Sequence, residues 1–249
     1  TMNTLAFTVC FAVWMMNGVL ITFFVDNRIY AFDKAEMGWL IGLPVLTGSL
    51  ARLPLGMLTD RYGGRRVFGL LLFVSAVPMY LLSYATTYAH FVWASLGFGL
   101  SGGSFAVGIA YTSVWFSRNR QGTALGIFGA GNAGSAITSM GAPALLALLT
   151  LNHVELDSWR QLPRIYAAAL AITGVLFFLL THDKLADTSH VLTLRERLAP
   201  LRSVRVWRFG AYYLLVFGAY VGLAQWLIPY YVNVYGMSVA TAGLMAAIF

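Results

Sequence analysis

Eight apolar runs separated by short polar stretches fill this chain. Seven of them, at residues 4–25, 37–59, 67–86, 91–117, 122–150, 165–181 and 207–234, are long enough to cross roughly 30 Å of hydrocarbon as helices. The eighth begins near residue 240 and meets the end of the sequence at Phe249. The pattern predicts an all-α multi-pass membrane protein. Composition agrees, because 59% of residues are hydrophobic, only 10% are charged, and the mean hydropathy is +0.73. Soluble domains carry about 25% charged residues to solvate their surface. The 249 residues are ample for one or two soluble domains, but so few charges cannot build a water-facing exterior. The first run is not a secretory signal: it lacks a basic n-region, exceeds an h-region in length, and is followed by further spans.

The net charge of +7 would suggest nucleic acid only if it were gathered on one face of a soluble module. Here the basic residues sit between apolar runs, where they report topology. Segments 60–66, 118–120 and 182–208 hold Arg61, Arg65, Arg66, Arg118, Arg120, Lys184, Arg195, Arg197, Arg202, Arg205 and Arg208. The alternate segments hold only Arg28, Lys34, Arg160 and Arg164. The positive-inside rule therefore places the first group, and the N-terminus, in the cytoplasm.

The remaining basic residue, Arg52, falls inside the second run. All nine acidic residues (Asp26, Asp33, Glu36, Asp60, Glu155, Asp157, Asp183, Asp187 and Glu196) fall in loops or at run ends. An arginine at mid-membrane costs roughly 2.5–3.5 kcal/mol on insertion scales. It lies about two turns from the cytoplasmic end, so snorkelling or backbone carbonyls satisfy it on the plain structural reading. An intramembrane charge without a counter-charge more often marks a substrate path, and that reading is preferred here. Gly48, Arg52 and Gly56 share one helix face, which predicts an uncrowded stripe around the guanidinium.

The fourth and fifth runs are rich in glycine, at 97–105 and 126–135. Neither contains the Gly-Lys-Ser/Thr of a phosphate-binding loop or follows a strand. Small residues in a membrane let helices approach closely, and that role accounts for most of these glycines. Asn132 is different, because a carboxamide in mid-membrane needs a partner. With Ser135 and Ser139 it makes a polar stripe, and helix-to-helix hydrogen bonding and substrate contact both remain open. Tyr213 and Phe217, four apart, share a face of the seventh run; on spacing alone such aromatics are more often packing residues. Cys10 is the single cysteine, which excludes an internal disulfide framework and a multi-cysteine metal cluster. No nucleophile–base pair points to an enzyme, the histidines (His90, His153, His182 and His190) lie in loops or near run ends, and no cofactor is implied.

The stretch Gly56-Met-Leu-Thr-Asp60-Arg61-Tyr-Gly63-Gly64-Arg65-Arg66 resembles the cytoplasmic signature of the major facilitator superfamily. The glycines suit a tight turn, the arginines hold the cytoplasmic side, and Asp60 can pair with them or with a helix N-terminus of the opposite half. Leu43-Pro44 through Gly48, Arg52 and Pro54, leading into that signature, resembles the second helix of the nitrate/nitrite porters. Gly129-Ala-Gly131-Asn132-Ala-Gly134 resembles their fifth-helix signature, in which the glycines pack helices. The resemblance implies a six-helix bundle over 1–181, a cytoplasmic interdomain loop over 182–206, and the start of a second bundle over 207–249.

It also implies site residues: Arg52 binding the anion, Asn132 orienting it, and Phe105, Tyr213 and Phe217 walling it. The implied partners are a small inorganic anion, nitrate or nitrite, and the lipid of an inner membrane. A planar guanidinium with a rigid fork of donors suits a planar oxyanion, although formate and other carboxylates suit it as well. The family has about twelve helices with the site between two halves. The sequence therefore carries half a site, and the second arginine and second glycine-rich signature are expected in a missing C-terminal half. A facilitator for another small anion and a non-transporting membrane fragment are the rival readings.

Overall fold

The computed structural model describes residues 1–151, 156–184, 196 and 198–248. His153, Glu155, Asp187, His190, Arg195, Arg197 and Phe249 lie outside the described residues. Among the described residues, seven helices are long and apolar enough to cross a bilayer: α1 Met2–Asp26, α2 Lys34–Tyr62, α3 Gly64–Leu82, α4 Tyr88–Ser113, α5 Arg118–Thr150, α6 Asp157–Leu180 and α7 Val204–Tyr235. A shorter apolar helix, α8 Val239–Ile248, follows. The fold is all-α and multi-pass, as the apolar runs predict.

Alternation of the spans defines two ends of the molecule. One carries the Asp60–Arg66 segment and is called the signature end; the other carries Asp26 and Gly236 and is called the far end. Helix α1 is apolar on every face, which is the mark of a helix surrounded by protein. Of its apolar window 78% is buried, against 28% for α2 and 17% for α7. Trp14, Phe7, Phe11, Phe24, Met16 and Leu20 from α1 are among the largest fully buried side chains. The helix packs against α2, α4, α5, α6 and α7, and so serves as the axis of the molecule.

Helix boundaries differ from the run boundaries where side chains supply caps. Helix α2 starts at Lys34 rather than 37 because Asp33 accepts from the Glu36 N–H (2.7 Å) while Glu36 accepts from the Asp33 N–H (3.0 Å), a reciprocal capping box. Helix α6 begins before residue 165; Pro163 is tolerated in a first turn, where its missing N–H is not needed. Helix α7 begins at Val204, so Arg205 and Arg208 stand on the helix itself. The glycine-rich segments do more than permit contact. Helices α4 and α5 each tighten into a 3₁₀ turn there, at Leu100–Gly103 and Ala130–Ala133.

The signature segment is more helical than a loop reading predicts. Asp60, Arg61 and Tyr62 complete α2, and α3 starts at Gly64, so the turn is the single residue Gly63 with φ +87° and ψ 147°. Gly64 is helical, and what it provides is space: a methyl group there would collide with the ring of Tyr111. Asp183, just past the end of α6, covers the turn. Its Oδ1 accepts from the Arg65 N–H (3.4 Å) and its Oδ2 lies 3.7 Å from Arg66 Nε. Arg65 also donates to the Phe178 carbonyl (2.5 Å) and Tyr111 donates to the His182 carbonyl (2.5 Å), tying α3 and α4 to the end of α6. Asp183 was not expected in this role, because nothing in the local motif points to a residue 120 positions away.

The backbone angles of Gly63 lie in a region open essentially to glycine alone, where strain amounts to about 1–3 kcal/mol for other residues. A methyl group would in addition collide with the Asp183 carboxylate. Gly63→Ala is therefore expected to lower the thermal midpoint of the full-length protein in detergent by several degrees. Gly56→Ala, at a position with open space around it, should leave the midpoint within about a degree; equal shifts in both would contradict this account of the turn.

Candidate functional site

Arg52 stands on α2 and leans across α4 towards α7. Its Nε faces the Gly102 carbonyl at 3.5 Å, and its Nη1 donates to the Tyr213 hydroxyl at 3.2 Å. The guanidinium carbon lies 5.0 Å from the Phe217 ring centre, 5.5 Å from Phe105 and 5.7 Å from Trp14. Cation–π attraction contributes roughly 0.5–2 kcal/mol per ring, more where water is excluded. Its Nη2 is buried and has no hydrogen-bond acceptor in the protein. The arginine is thus held by two polar contacts and bordered by three rings while a pair of N–H donors remains unsatisfied.

The aromatic residues form a continuous stack. Tyr213 and Phe217 lie 4.9 Å apart and nearly parallel (13°), and Phe105 stacks on Phe217 at 5.8 Å and on Tyr213 at 6.3 Å. Behind Phe105 stands Phe7 of α1, at 5.6 Å. The structure therefore brings Arg52, Phe105, Tyr213 and Phe217, from three separate helices, into one cluster. Arg52, Tyr213 and Phe217 border a cleft of about 610 Å³ between α2 and α7, whose lining also includes Trp14, Ser49 and Gln225; Phe105 stands behind Phe217, outside that lining.

The local sequence explains how the cluster is reached. Gly48 and Gly102 let α2 and α4 close around the Trp14 indole. A methyl group on Gly48 would lie 2.7 Å from Trp14 Nε1 and 2.9 Å from Gly102 Cα, and one on Gly102 would collide with the indole ring. The stripe Gly48–Arg52–Gly56 is therefore crowded at Gly48 and open only at Gly56, which corrects the uncrowded face expected from spacing. Trp14 donates to the Pro44 carbonyl at 2.6 Å, which fixes its ring beside Arg52. Sequence reasoning missed Trp14; its only signal is an indole N–H within a largely apolar helix, where a partner is required.

Asn132 stands apart from the cluster. Its Nδ2 donates to Gly129 O (2.9 Å) within the 3₁₀ turn of its own helix, while its buried Oδ1 has no protein partner. Its backbone carbonyl accepts from Ser135 Oγ (3.0 Å) and from the Tyr220 hydroxyl (3.3 Å), and Ser135 and Tyr220 meet at 2.5 Å. Tyr220 in turn lies 6.2 Å from the Phe217 ring, so one aromatic residue separates Asn132 from the stack. Of the signature glycines, Gly131 packs on Phe7 and Gly134 on the α1 backbone at Thr8 and Ala12. Gly129 packs on nothing among the described residues, and its carbonyl accepts from Asn132.

At the signature end, Gly56 has open surroundings, Asp60 and Arg61 are exposed on the last turn of α2, and Arg61 rests 5.2 Å from the Tyr62 ring. Gly63 makes the turn and Gly64, Arg65 and Arg66 open α3, all beside Asp183 and about three turns of helix from the Arg52 cluster.

Residues 3–249 match the family model of the Major Facilitator Superfamily. A probable nitrate/nitrite antiporter, NarK1, of Thermus thermophilus is 42% identical over an alignment covering 100% of this chain and 56% of that protein. The nitrite extrusion protein of Bacillus subtilis is 27% identical, covering 100% of this chain and 60% of that one. A probable nitrate/nitrite transporter, NarK2, of Mycobacterium tuberculosis is 31% identical over 96% of this chain and 59% of its own length. The chain thus spans a little over half the length of these relatives. The crystal structure of a bacterial homolog of the human lysosomal transporter Spinster, inward-facing and unoccupied, superposes with a TM-score of 0.71 at 17% identity, covering 99% of this chain and 59% of that one; this is a likeness of fold. By the match over nearly its whole length, the chain belongs to the Major Facilitator Superfamily.

Proposed function

We propose that this chain forms one half of the substrate site, and the first bundle, of a secondary active transporter for nitrate and/or nitrite. The transporter works by alternating access in a cytoplasmic inner membrane, with its N-terminus inside. The observation that carries this reading is the Arg52 guanidinium, gripped by Tyr213 and walled by Trp14, Phe105 and Phe217, with Nη2 unsatisfied. A flat slot with a fork of donors selects a small planar oxyanion over a tetrahedral one. The names of the relatives, which refer to nitrate and nitrite, support the choice among planar anions.

In this reading residues 1–181 are the first bundle, 182–206 the cytoplasmic loop, and 207–249 the start of the second bundle. The remainder of the second bundle supplies the rest of the site and covers the exposed face of α7. Asn132 joins the anion only by turning its carboxamide away from Gly129. Nitrate entering against an inside-negative potential needs an energy source. The acidic residues stand in loops or at helix ends, so this part of the protein offers no intramembrane acid to carry a proton. Exchange of one anion for the other, or coupling by groups in the second bundle, fits that arrangement.

Uptake of nitrate into proteoliposomes by the full-length protein tests the assignment, with nitrite, formate and chlorate as competitors. Competition by nitrite and not by the pyramidal chlorate is the expected pattern; stronger competition by formate would move the assignment to a carboxylate carrier. Arg52→Lys keeps the charge and loses the planar fork, so transport should fall at least tenfold, a loss of about 1.4 kcal/mol. Wild-type rates in a well-expressed Arg52→Lys protein would remove Arg52 from the site. The two parts of Tyr213 separate in a second pair of variants. Tyr213→Phe keeps the ring and loses one hydrogen bond to a charged group, about 1.5–3 kcal/mol, so affinity should drop roughly ten- to a hundredfold. Tyr213→Ala also removes the wall and should cost more; identical affinities for the two, measured by equilibrium binding, would show that the ring is not a wall.

A further inference from the structure

The α7 stripe that carries Tyr213 and Phe217 continues through Val221 to Gln225, about 18 Å further along the helix axis towards the far end. Gln225 is only 1% exposed. Its Nε2 donates to the Trp14 carbonyl of α1 at 3.4 Å, and its Oε1 has no protein partner. A second contact comes from its backbone. Pro229, four residues on, has no N–H, so the Gln225 carbonyl has no helical donor. That carbonyl faces α1 at Gly18, where a methyl group would lie 2.9 Å from it and 2.7 Å from Oε1.

The same arrangement occurs where α8 meets α5. Pro143 leaves the Ser139 carbonyl without a helical donor, and a methyl group on Gly243 would collide with that oxygen. So at one contact of α7 and one of α8 with the first six helices, a carbonyl released by proline abuts a glycine of the opposite group. Both joints can separate without orphaning a regular helical hydrogen bond, because none is made by these carbonyls in either position.

We propose that Gln225 is a positioning residue for transport, closing the far end of the anion's path and tying that closure, through Trp14, to the Arg52 site. The proposal rests on the reading of this chain as part of an alternating-access transporter. Trp14 is held three ways: its carbonyl by Gln225, its indole N–H by Pro44 O, and its ring between Gly48 and Gly102 beside Arg52. When α7 leaves α1, the Gln225 amide leaves Trp14, and the ring beside Arg52 loses one of its constraints. A neutral amide makes this contact without placing a charge in the membrane, where an acid or base would need a counter-ion.

The test uses the full-length protein in vesicles with Cys10→Ala and any cysteine of the remaining sequence also replaced, so that one cysteine, introduced as Ser49→Cys in the cleft lining, reports access. A membrane-impermeant maleimide is applied to either face without nitrate present. Gln225→Met keeps length and packing but loses the amide, and should raise the ratio of far-side to signature-side labelling at least threefold. Gly18→Val blocks the close approach outright and should raise it at least as far. In Gln225→Met, equilibrium nitrate affinity should stay within threefold of the parent while turnover falls by more than that. An unchanged labelling ratio in Gln225→Met, in protein as monodisperse as the parent, overturns the proposal whether or not Gly18→Val folds. Because labelling needs no substrate, its failure is distinct from failure of the nitrate assignment, which the parent's own uptake decides.

Discussion

A guanidinium about two turns inside a bilayer must be solvated by protein, and the centre of this molecule is arranged around that requirement. Lipid offers Arg52 nothing, and the acidic residues stand in loops or at helix ends. The available substitutes are a carbonyl at Gly102, a hydroxyl at Tyr213 and the negative faces of three rings. Each depends on another feature. Phe105 stands where α4 resumes after its 3₁₀ turn, Trp14 fits only because Gly48 and Gly102 lack side chains, and Tyr213 arrives from α7. Gly48 and Gly102 let α2 and α4 close around Trp14, and without them the arginine loses one of its rings.

A second requirement runs through the same helices. In lipid every backbone carbonyl needs a donor or a protected contact, and each internal proline withdraws one donor. Pro44 leaves the Leu40 carbonyl unserved, and Asn17 Nδ2 reaches it from α1 at 2.6 Å while also donating to Ser95 Oγ at 2.9 Å. Asn17 is 1% exposed and would be an anomaly in an apolar helix without this task. The Trp14 bond to Pro44 O lies one turn away on the same pair of helices. Proline thus places α1 and α2 in register: two polar groups of α1 meet two carbonyls of α2, and that register sets where Arg52 falls.

Much of the fold and part of the site are legible in the sequence, and the division has a physical basis. Span number follows from apolar run length, because bilayer thickness is fixed. Arg52 is visible because charge is rare in such runs, and Phe105, Tyr213 and Phe217 through family resemblance. The 3₁₀ turns of α4 and α5 are not legible, since a glycine run predicts close contact and shifted hydrogen bonding alike. Asp183 and Gln225 escape because their roles depend on which helices meet. Asp183 reads as one more loop carboxylate, and Gln225 is an amide within the seventh run whose partner the sequence does not name. Gly129 and Gly131 look equivalent in sequence, yet only one faces α1. The capping box of Asp33 and Glu36 was there to be read and adds a turn to α2.

The contact of α7 with the first six helices has a form that bears on its strength. Little of its apolar window is buried, only 17%, so apolar packing within this chain holds it weakly. Instead it is attached at intervals along one stripe: Tyr213 to Arg52, Phe217 to Phe105, Tyr220 to Ser135 and the Asn132 carbonyl, and Gln225 to Trp14 and Gly18. A hydrogen bond contributes roughly 0.5–1.5 kcal/mol net, somewhat more where one partner is charged, so the stripe as a whole amounts to a few kcal/mol. A ligand that favours one of two states by a few kcal/mol can invert their populations. An apolar seam as well buried as that of α1 would be far beyond such reach. On the proposed reading of Arg52 as an anion site, the sparse attachment of α7 to the first six helices lies within the range that binding of one small anion can shift.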